Sequence, residues 1–139
     1  MTKQSFFRYR AYGSTGVNTT QDDEVLFTAQ ENVTLRRLII HTAYGNNNST
    51  VAEVNFQLAV APNGTDVVDA LINIGLNSYE MPYEYLAGGV VTNGNMLTID
   101  TKGMRKLRKG DQIKIYFCEG STSTSTDDFR YYCDIFLSQ

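Results

Sequence analysis

Hydrophobic and polar side chains alternate along several stretches of the chain, and each such stretch predicts a β-strand. The clearest stretch is residues 52–61, in which four apolar residues occupy every second position: Val54, Phe56, Leu58 and Val60. Successive side chains of a strand point to opposite faces, so this period of two predicts a half-buried strand. The turn-forming residues Pro62-Asn63-Gly64 end it.

The same alternation, or a short apolar run rich in β-branched residues, predicts seven further strands. They lie at residues 5–12, 23–29, 33–42, 66–75, 94–103, 111–118 and 129–137. The run at 66–75 would also suit a short helix, although its β-branched content favours a strand. Residues 77–89 are predicted to be irregular, because Pro82 cannot donate to a strand ladder and Gly88-Gly89 follow.

About eight strands at irregular spacing, with no long linker, predict an all-β fold: an antiparallel two-sheet β-sandwich of jelly-roll type with an extended N-terminal arm. The chain of 139 residues suits one such domain. We assign residues 1–22 to an N-terminal segment, which ends in the polar stretch 13–21, and residues 23–139 to the sandwich.

The last two strands are predicted to pair with each other. The register that makes one face wholly apolar sets Ile113, Ile115 and Phe117 opposite Leu137, Ile135 and Cys133. Cys118 then lies on the other face from Cys133. Because cross-strand neighbours must share a face to be bridged, we expect two free thiols.

Composition narrows the possible partners. The charged fraction is 19% and the formal net charge is −3, so the chain has no global positive field for a polyanion. The N-terminus lacks the apolar core of a signal peptide, and no segment approaches the roughly 20 apolar residues that cross a bilayer. We expect a protein made in a cytoplasm, with no membrane partner.

Catalytic chemistry has little support in the sequence. His41 is the single histidine, and on a strand it is predicted to be structural or surface-exposed. The acidic groups Asp22-Asp23-Glu24 and Asp127-Asp128 lack the alternating spacing of a calcium loop, so we expect solvated loops there. We therefore predict no enzyme, no catalytic residue, no cofactor and no metal site.

The first candidate contact segment interleaves aromatic residues with arginines. It contains Phe6, Phe7, Arg8, Tyr9, Arg10 and Tyr12. Two interpretations stay open. The segment is either an edge strand shielded by its arginines, or a strand that docks on another chain, because aromatic residues and arginine are enriched in interface cores.

The second candidate is a basic turn whose positive charges precede Gly110-Asp111, a pair that favours a tight turn. Its cations are Lys102, Arg105, Lys106, Arg108 and Lys109. These charges repel one another and favour a counter-charge, which could be solvent and salt, the chain's own acidic loops or an acidic surface of a neighbouring subunit; a further interpretation is a nucleic-acid site. The last would need supporting basic or aromatic residues from elsewhere, and we expect no nucleic-acid partner.

Over residues 23–137 the chain resembles small β-sandwich structural proteins of tailed bacteriophages and other viruses. The resemblance lies in a strand pair around a polar turn, "VLFTAQENVTLRRLIIHTAYGNNNSTVAEVNFQLAVAPNG", in the turn Leu107 to Asp111 of "LTIDTKGMRKLRKGDQIKIYF", and in the closing "RYYCDIFL". The late turn is also similar to that of trimeric jelly rolls of the tumour-necrosis-factor and complement C1q type.

The resemblance implies a non-enzymatic component of the virion, assembled in the host cytoplasm. The implied role is a decoration (cement) or small jelly-roll capsid protein that binds copies of itself, for example as a trimer, and a major capsid or other virion protein. The alternative is a tail, fibre or receptor-binding module with a carbohydrate groove lined by Tyr79, Tyr83 and Tyr85.

Overall fold

The computed structural model describes residues 6–17, 22–45, 53–64, 84–92, 96–119 and 127–139. Within these ranges the chain forms nine strands: Phe6–Val17 (β1), Asp22–Thr28 (β2), Val33–Gly45 (β3), Glu53–Ala61 (β4), Glu84–Thr92 (β5), Met96–Thr101 (β6), Arg105–Leu107 (β7), Gln112–Glu119 (β8) and Asp127–Ser138 (β9). A single 3-10 turn, Pro62–Gly64, follows β4. The all-β prediction is confirmed.

The strands form two antiparallel sheets. Sheet 1 has the order β1-β9-β3-β6, with β7 paired to the start of β3, and sheet 2 has the order β2-β8-β4-β5. Apolar side chains from the inner faces of both sheets are fully buried between them; examples are Leu38, Ile40, Leu58, Ile115 and Ile135. This packing is the two-sheet sandwich that the alternation predicts.

The predicted pairing of the last two strands is wrong. β8 pairs with β2 and β4 in sheet 2, whereas β9 pairs with β1 and β3 in sheet 1. Both strands do point their apolar rows into the core, but from opposite sides; the rings of Phe117 and Phe129 lie 5.3 Å apart there. Alternation predicts which side chains point into the core, and it fits strands that face each other across a core as well as strands that are hydrogen-bonded neighbours.

Cys133 is a fully buried free cysteine, as predicted. Burial raises the pKa of its thiol, and the neighbouring Asp134 carboxylate adds to the effect. The side chain of Cys118 lies outside the described residues, so its predicted free state stays a prediction.

Gly88 and Gly89 belong to β5, so the prediction of irregular structure is wrong for residues 84–89. A Cβ on Gly89 would lie 2.7 Å from Cδ2 of Leu97 in β6. Glycine therefore lets the two sheets approach closely at this edge, which is a recognised use of glycine inside a strand. The predicted strand 66–75 and residues 77–83 lie outside the described residues.

The N-terminal segment is extended, and its strand runs further than the predicted 5–12. β1 pairs with β9 along its whole length, and Gly13 to Val17 lie opposite Tyr131 to Asp127. The polar residues 13–17 are thus part of sheet 1, because the ladder with β9 pairs their backbone groups. Residues 18–21 lie outside the described residues, and the division of the chain at residue 22 stays a prediction.

Candidate assembly surface

The outer face of sheet 1 carries a continuous set of side chains, which we call the basic face; all are exposed or half-buried except Asp134, which is buried. The strand registers place its members side by side in rows: Arg8 and Phe136 with Arg37; Arg10 and Asp134 with Ile39 and Asp100; Tyr12 and Tyr132 with His41 and Thr98; Arg130 and Ala43 with Met96. All of them alternate along their strands with residues that face inward.

An ion pair between the edge strand β1 and its neighbour β9 stabilises the basic face. Nε of Arg10 donates to Oδ1 of Asp134 at 2.7 Å, and Nη2 donates to Oδ2 at 3.2 Å. These hydrogen bonds, together with the positive charge of Arg10, hold the pKa of the Asp134 carboxyl below its usual range. The bidentate geometry fixes the guanidinium in place.

Arg10 also packs against two stacked aromatic rings. Its guanidinium carbon lies 5.2 Å from the ring centre of Tyr132. That ring stacks on His41, with ring centres 4.4 Å apart and planes 12° from parallel. Nδ1 of His41 is in turn hydrogen-bonded to Oγ1 of Thr98 at 3.1 Å. Contacts therefore run across four strands, and each ring is oriented by its neighbour.

A second bidentate pair connects β3 and β6. Nε and Nη2 of Arg37 donate to Oδ1 and Oδ2 of Asp100 at 3.0 and 2.6 Å. The hydrogen bonds from Arg37 lower the pKa of the Asp100 carboxyl. Arg36 donates to Oγ of Ser138 at 2.6 Å, which ties β3 to the end of β9. The cations of the basic face are thus held in defined positions.

Large side chains on this face remain open to solvent. Tyr12 is 75% exposed, Met96 69% and Tyr132 38%. A shallow depression of about 170 Å³ lies beside Met96 and Tyr132 and is also lined by His41, Ala43 and Arg130. Tyrosine, methionine and arginine are the residue types enriched at protein–protein interfaces and their hot spots.

The predicted aromatic-arginine segment lies on β1, an edge strand of sheet 1, and its docking on another chain stays a prediction. Its residues divide between the two faces. Arg8, Arg10 and Tyr12 lie on the basic face, whereas Phe7 and Tyr9 point the other way, and the Tyr9 ring lies 5.4 Å from Phe27 of β2. Phe6 pairs with Ser138 through its backbone, and its side chain is outside the described part of the chain.

The predicted basic turn lies at the opposite edge of the same sheet. Lys106 pairs with Thr34, Thr34 with Ser138, and Ser138 with Phe6. Three strand spacings, about 14 Å, therefore separate the turn from β1. Leu107 is buried and anchors the turn, whereas five side chains stay exposed: Lys102, Arg105, Lys106, Arg108 and Lys109. The two predicted segments do not touch; they border one face.

Asp111 organises the basic turn as predicted. Its Oδ2 accepts a hydrogen bond from the backbone N–H of Arg108 at 2.8 Å, and its Oδ1 accepts one from the N–H of Asn63 at 3.0 Å. Gly110 has φ = 96°, a conformation that favours glycine, and its N–H donates to the carbonyl of Ala29 at 2.9 Å. One carboxylate thus ties the turn of sheet 1 to the end of β4 in sheet 2.

Charge is distributed unequally between the sheets. The strands of sheet 1 hold seven basic residues against four acidic ones, a net charge of +3: Arg8, Arg10, Arg36, Arg37, Arg105, Lys106 and Arg130 against Asp100, Asp127, Asp128 and Asp134. The strands of sheet 2 hold one basic residue against six acidic ones, a net charge of −5: Lys114 against Asp22, Asp23, Glu24, Glu53, Glu84 and Glu119. The formal charge of −3 conceals this division.

The acidic groups that we expected in solvated loops lie in strands, so that expectation is wrong. Asp22 to Glu24 are the first residues of β2, and Asp127 and Asp128 are the first residues of β9. Asp23 pairs with the buried Nζ of Lys114 at 3.2 Å. Tyr131 is hydrogen-bonded to Glu24, and burial, helped by the Glu24 charge, raises the pKa of Tyr131. Among the described residues, no group of three or more His, Cys, Asp or Glu is placed to hold a metal ion.

Sequence reasoning missed the middle of the basic face. Tyr132, Arg37 and Met96 were not singled out, and His41 was predicted only to be structural or on the surface; it is half-buried on this face. The alternation in β9 marks Tyr132 as outward-facing, but only the strand pairing brings it against His41. The predicted glycan groove cannot be placed, because Tyr79, Tyr83 and the side chain of Tyr85 lie outside the described residues. The described residues include no helix long and apolar enough to cross a membrane.

No family model and no curated protein matches the chain. Among solved structures, it is similar to a chain of infectious bursal disease virus, Gx strain, with a TM-score of 0.57 and 7% identity over 99% of this chain and 32% of that one. A chain of the Gt strain of the same virus gives a TM-score of 0.51 and 8% identity over 98% of this chain and 33% of that one. A chain from the disulfide-linked pili of Bacillus endospore appendages aligns with a TM-score of 0.49 and 8% identity, over 98% of this chain and 89% of that one.

The similarities to the two infectious bursal disease virus chains define the class of fold: a jelly-roll-like β-sandwich. The resemblance to virus β-sandwich proteins that the sequence suggested is confirmed at the level of the fold. This chain spans about a third of the length of the two infectious bursal disease virus chains.

Proposed function

We propose that the protein is a non-enzymatic structural subunit of a virus particle. Its role is to stabilise the shell, as a decoration (cement) protein or a small jelly-roll capsid protein, through contacts between subunits. The observation that carries the proposal is the alignment of 99% of this chain with part of a chain from infectious bursal disease virus. The partners are copies of the same chain and a major capsid or other virion protein.

The basic face supports a contact role over a chemical one. Four of its charged groups are engaged with one another: Arg10 with Asp134, and Arg37 with Asp100. Groups paired in this way are fixed in charge and position, which suits recognition of a partner surface. Tyr12 and Met96 add exposed apolar area to the same face.

The two segments predicted from the sequence are assigned to the margins of this contact. β1 contributes Arg8 and Tyr12 at one margin, and the basic turn contributes Lys106 at the other. Protein–protein interfaces commonly have a polar rim and a core that is enriched in aromatic residues.

The experiment is quantitative mass spectrometry of particles purified from the natural source of the gene. We expect the chain in the particles at a copy number in the hundreds, as for a shell or cement protein. A handful of copies would instead favour a neck, tail or fibre position, including the receptor-binding alternative. Absence from the particles contradicts the proposal.

Incorporation of variants tests the role of the basic face. Removal of β1 is unsuitable, because β9 would lose its neighbour along twelve paired residues. The combined substitutions Arg8→Gln and Tyr12→Ser remove exposed side chains and leave the ladder intact. We expect them to reduce incorporation at least tenfold. The control is Val90→Ser, which alters an exposed residue of β5 in sheet 2 and should be incorporated normally.

A further inference from the structure

One backbone edge of β1 is open. Among the described strands β1 pairs with β9 alone, so the N–H and C=O groups along its other edge have no partner strand there. Side chains on both of its faces are exposed, Phe7 and Tyr9 on one and Arg8, Arg10 and Tyr12 on the other. Such an edge is a template to which a strand of another chain can be added.

The other edge strands of the two sheets are protected against strand addition. Folded proteins protect sheet edges with short strands, bulges or proline. β2 has a bulge between Val25 and Phe27, and β5 has an irregular register against β4 between Leu58 and Ala59. β6 has six residues and β7 has three. β1 runs for twelve residues in unbroken register with β9 and contains no proline, so among the described strands it is the long, regular edge that stays open.

We propose that β1 of one copy pairs antiparallel with β1 of a second copy across a two-fold axis, which joins the two copies of sheet 1 into one continuous sheet. Charge restricts the register. Registers centred on residues 8, 9 or 10 set an arginine directly opposite another arginine, which destabilises a strand pair. A register centred on Tyr12 sets Arg8 opposite Gly16 and Arg10 opposite Ser14, so no two charges lie opposite each other.

Tyr12 suits the position on the two-fold axis. It is the most exposed of the large hydrophobic side chains in the described part of the chain. On the axis it would contact its own copy, and aromatic cross-strand pairs are favourable. A register centred on Ala11 would instead set Tyr12 opposite Arg10, whose guanidinium is already bound to Asp134 and packed on Tyr132. The sequence of β1 is thus complementary to its own antiparallel copy.

The joined strands would also cover apolar surface. Residues 7–17 of each copy would be paired by about ten backbone hydrogen bonds, the number found in a typical protein–protein interface. A groove of about 440 Å³ lies beside this edge, and its lining includes Tyr9, Val25 and Phe27. Phe7 and Tyr9 of the second copy would point to the same side of the joined sheet as this groove, where Val25 is exposed.

This inference rests on the proposed function, since it names a contact that copies of a shell subunit would make. The two fail separately. Particles that contain the chain, together with a purified protein that stays monomeric, would overturn only the inference. A dimer joined through β1 in a protein that is absent from particles would overturn only the proposed function.

The test places charges on the two-fold axis. Tyr12→Arg and Tyr12→Glu each set like charges opposite each other when a variant pairs with itself. A mixed dimer of the two variants sets opposite charges together. Only a register centred on residue 12 brings the two substituted positions directly opposite each other.

Sedimentation velocity of the full chain gives the readout. We expect a wild-type dimer, and each variant alone should dimerise at least tenfold more weakly. An equimolar mixture should dimerise at least tenfold more tightly than either variant alone, and this gain should shrink as the salt concentration rises. A mixture that gains nothing overturns the proposal, as does a wild-type protein that stays monomeric at its solubility limit.

The matched controls are Met96→Arg and Met96→Glu. Met96 is exposed on the same face, but it lies in β6 on the other side of the sheet. These variants should dimerise like the wild type, and circular dichroism should show the same β-structure for every variant. If they weaken the dimer as much as the Tyr12 substitutions do, the contact is not made through β1 and the proposal is overturned.

Cross-linking tests the register without added charge. In a chain that carries Cys118→Ser, the variant Tyr12→Cys should be joined into a covalent dimer by a short bis-maleimide. The variant Ser14→Cys should not, because its two thiols would lie about 14 Å apart along the paired strands. Equal cross-linking at the two positions contradicts the register and overturns the proposal.

Discussion

The outward-facing rows of the two sheets each contain a tyrosine that alternates with buried residues, but the two tyrosines differ in exposure. On sheet 1, Tyr132 alternates with buried residues and is 38% exposed. On sheet 2, Tyr116 alternates with buried residues in the same way, yet it is only 1% exposed, and its outward-facing neighbours Gln57 and Lys114 are 1% and 4% exposed. In the described part of the chain, sheet 1 therefore offers its outer face to partners, whereas the centre of sheet 2 does not.

The difference shows that alternation of polar and apolar residues is not enough to identify a solvent-facing surface. Lys114 is a charged residue in an outward-facing position, and it is nevertheless buried. A buried charge needs a partner, and the Asp23 carboxylate lies 3.2 Å from Nζ of Lys114. The sequence therefore predicts which residues share a face of a strand, and the tertiary structure determines which face is accessible to solvent.

The largest expected effect contrasts the two outward-facing tyrosines. Tyr116→Ala should lower the free energy of unfolding by about 3 kcal/mol or more, since it empties a buried site. Tyr132→Ala should change it by no more than about 1 kcal/mol, because the ring is partly exposed. Urea denaturation of both variants measures the contrast. Equal losses for the two variants would remove the distinction between the sheets.

An intermediate effect is expected where the two sheets are tied together. Asp111→Ala removes the carboxylate that accepts hydrogen bonds from the backbone of Arg108 and of Asn63. We expect a loss of about 1–3 kcal/mol in the free energy of unfolding. Lys109→Ala, two residues away in the same turn and exposed, is the matched control and should stay within about 0.5 kcal/mol of the wild type. A loss as small as that of the control would mean that Asp111 does not hold the sheets together.

The smallest effect is a pH dependence on the basic face. Arg10 lowers the pKa of Asp134 in the folded protein, so the ionised carboxylate stabilises the fold above the unfolded pKa of about 3.9 and this contribution disappears as pH falls through the lower, folded pKa. Asp134→Asn should therefore be less stable than the wild type at pH 6, and the difference should be smaller at pH 2, below the unfolded pKa of about 3.9. Denaturation at both pH values tests this. A difference that persists unchanged at low pH would assign the effect to packing instead of charge.

Strand identity and the inward-facing rows could be predicted from the sequence, because both follow from local alternation. The hydrogen-bonded neighbours of each strand could not be predicted in this way. The apolar rows of β8 and β9 fit a hydrogen-bonded pair as well as two strands that face each other across the core. Gly89 was predicted to be irregular for a related reason: its close approach to Leu97 is a tertiary contact that has no local sequence signal.

The candidate site was predictable at its margins only. Runs of similar residues drew attention to β1 and to the basic turn, and both border the basic face. Its centre combines Arg10, Tyr132, His41 and Thr98 from four strands, and only the register of three strand pairs brings them into line. No spacing within one segment could have indicated that row.

The burial of Cys133 has a consequence for where such a protein can work. A thiol without water contact and with a raised pKa is rarely in the thiolate form that oxidants and alkylating agents attack. At this position the sandwich therefore needs neither reducing nor oxidising surroundings to keep its core intact. A protein built this way can leave the cell interior without a change in the chemistry of its Cys133 sulfur.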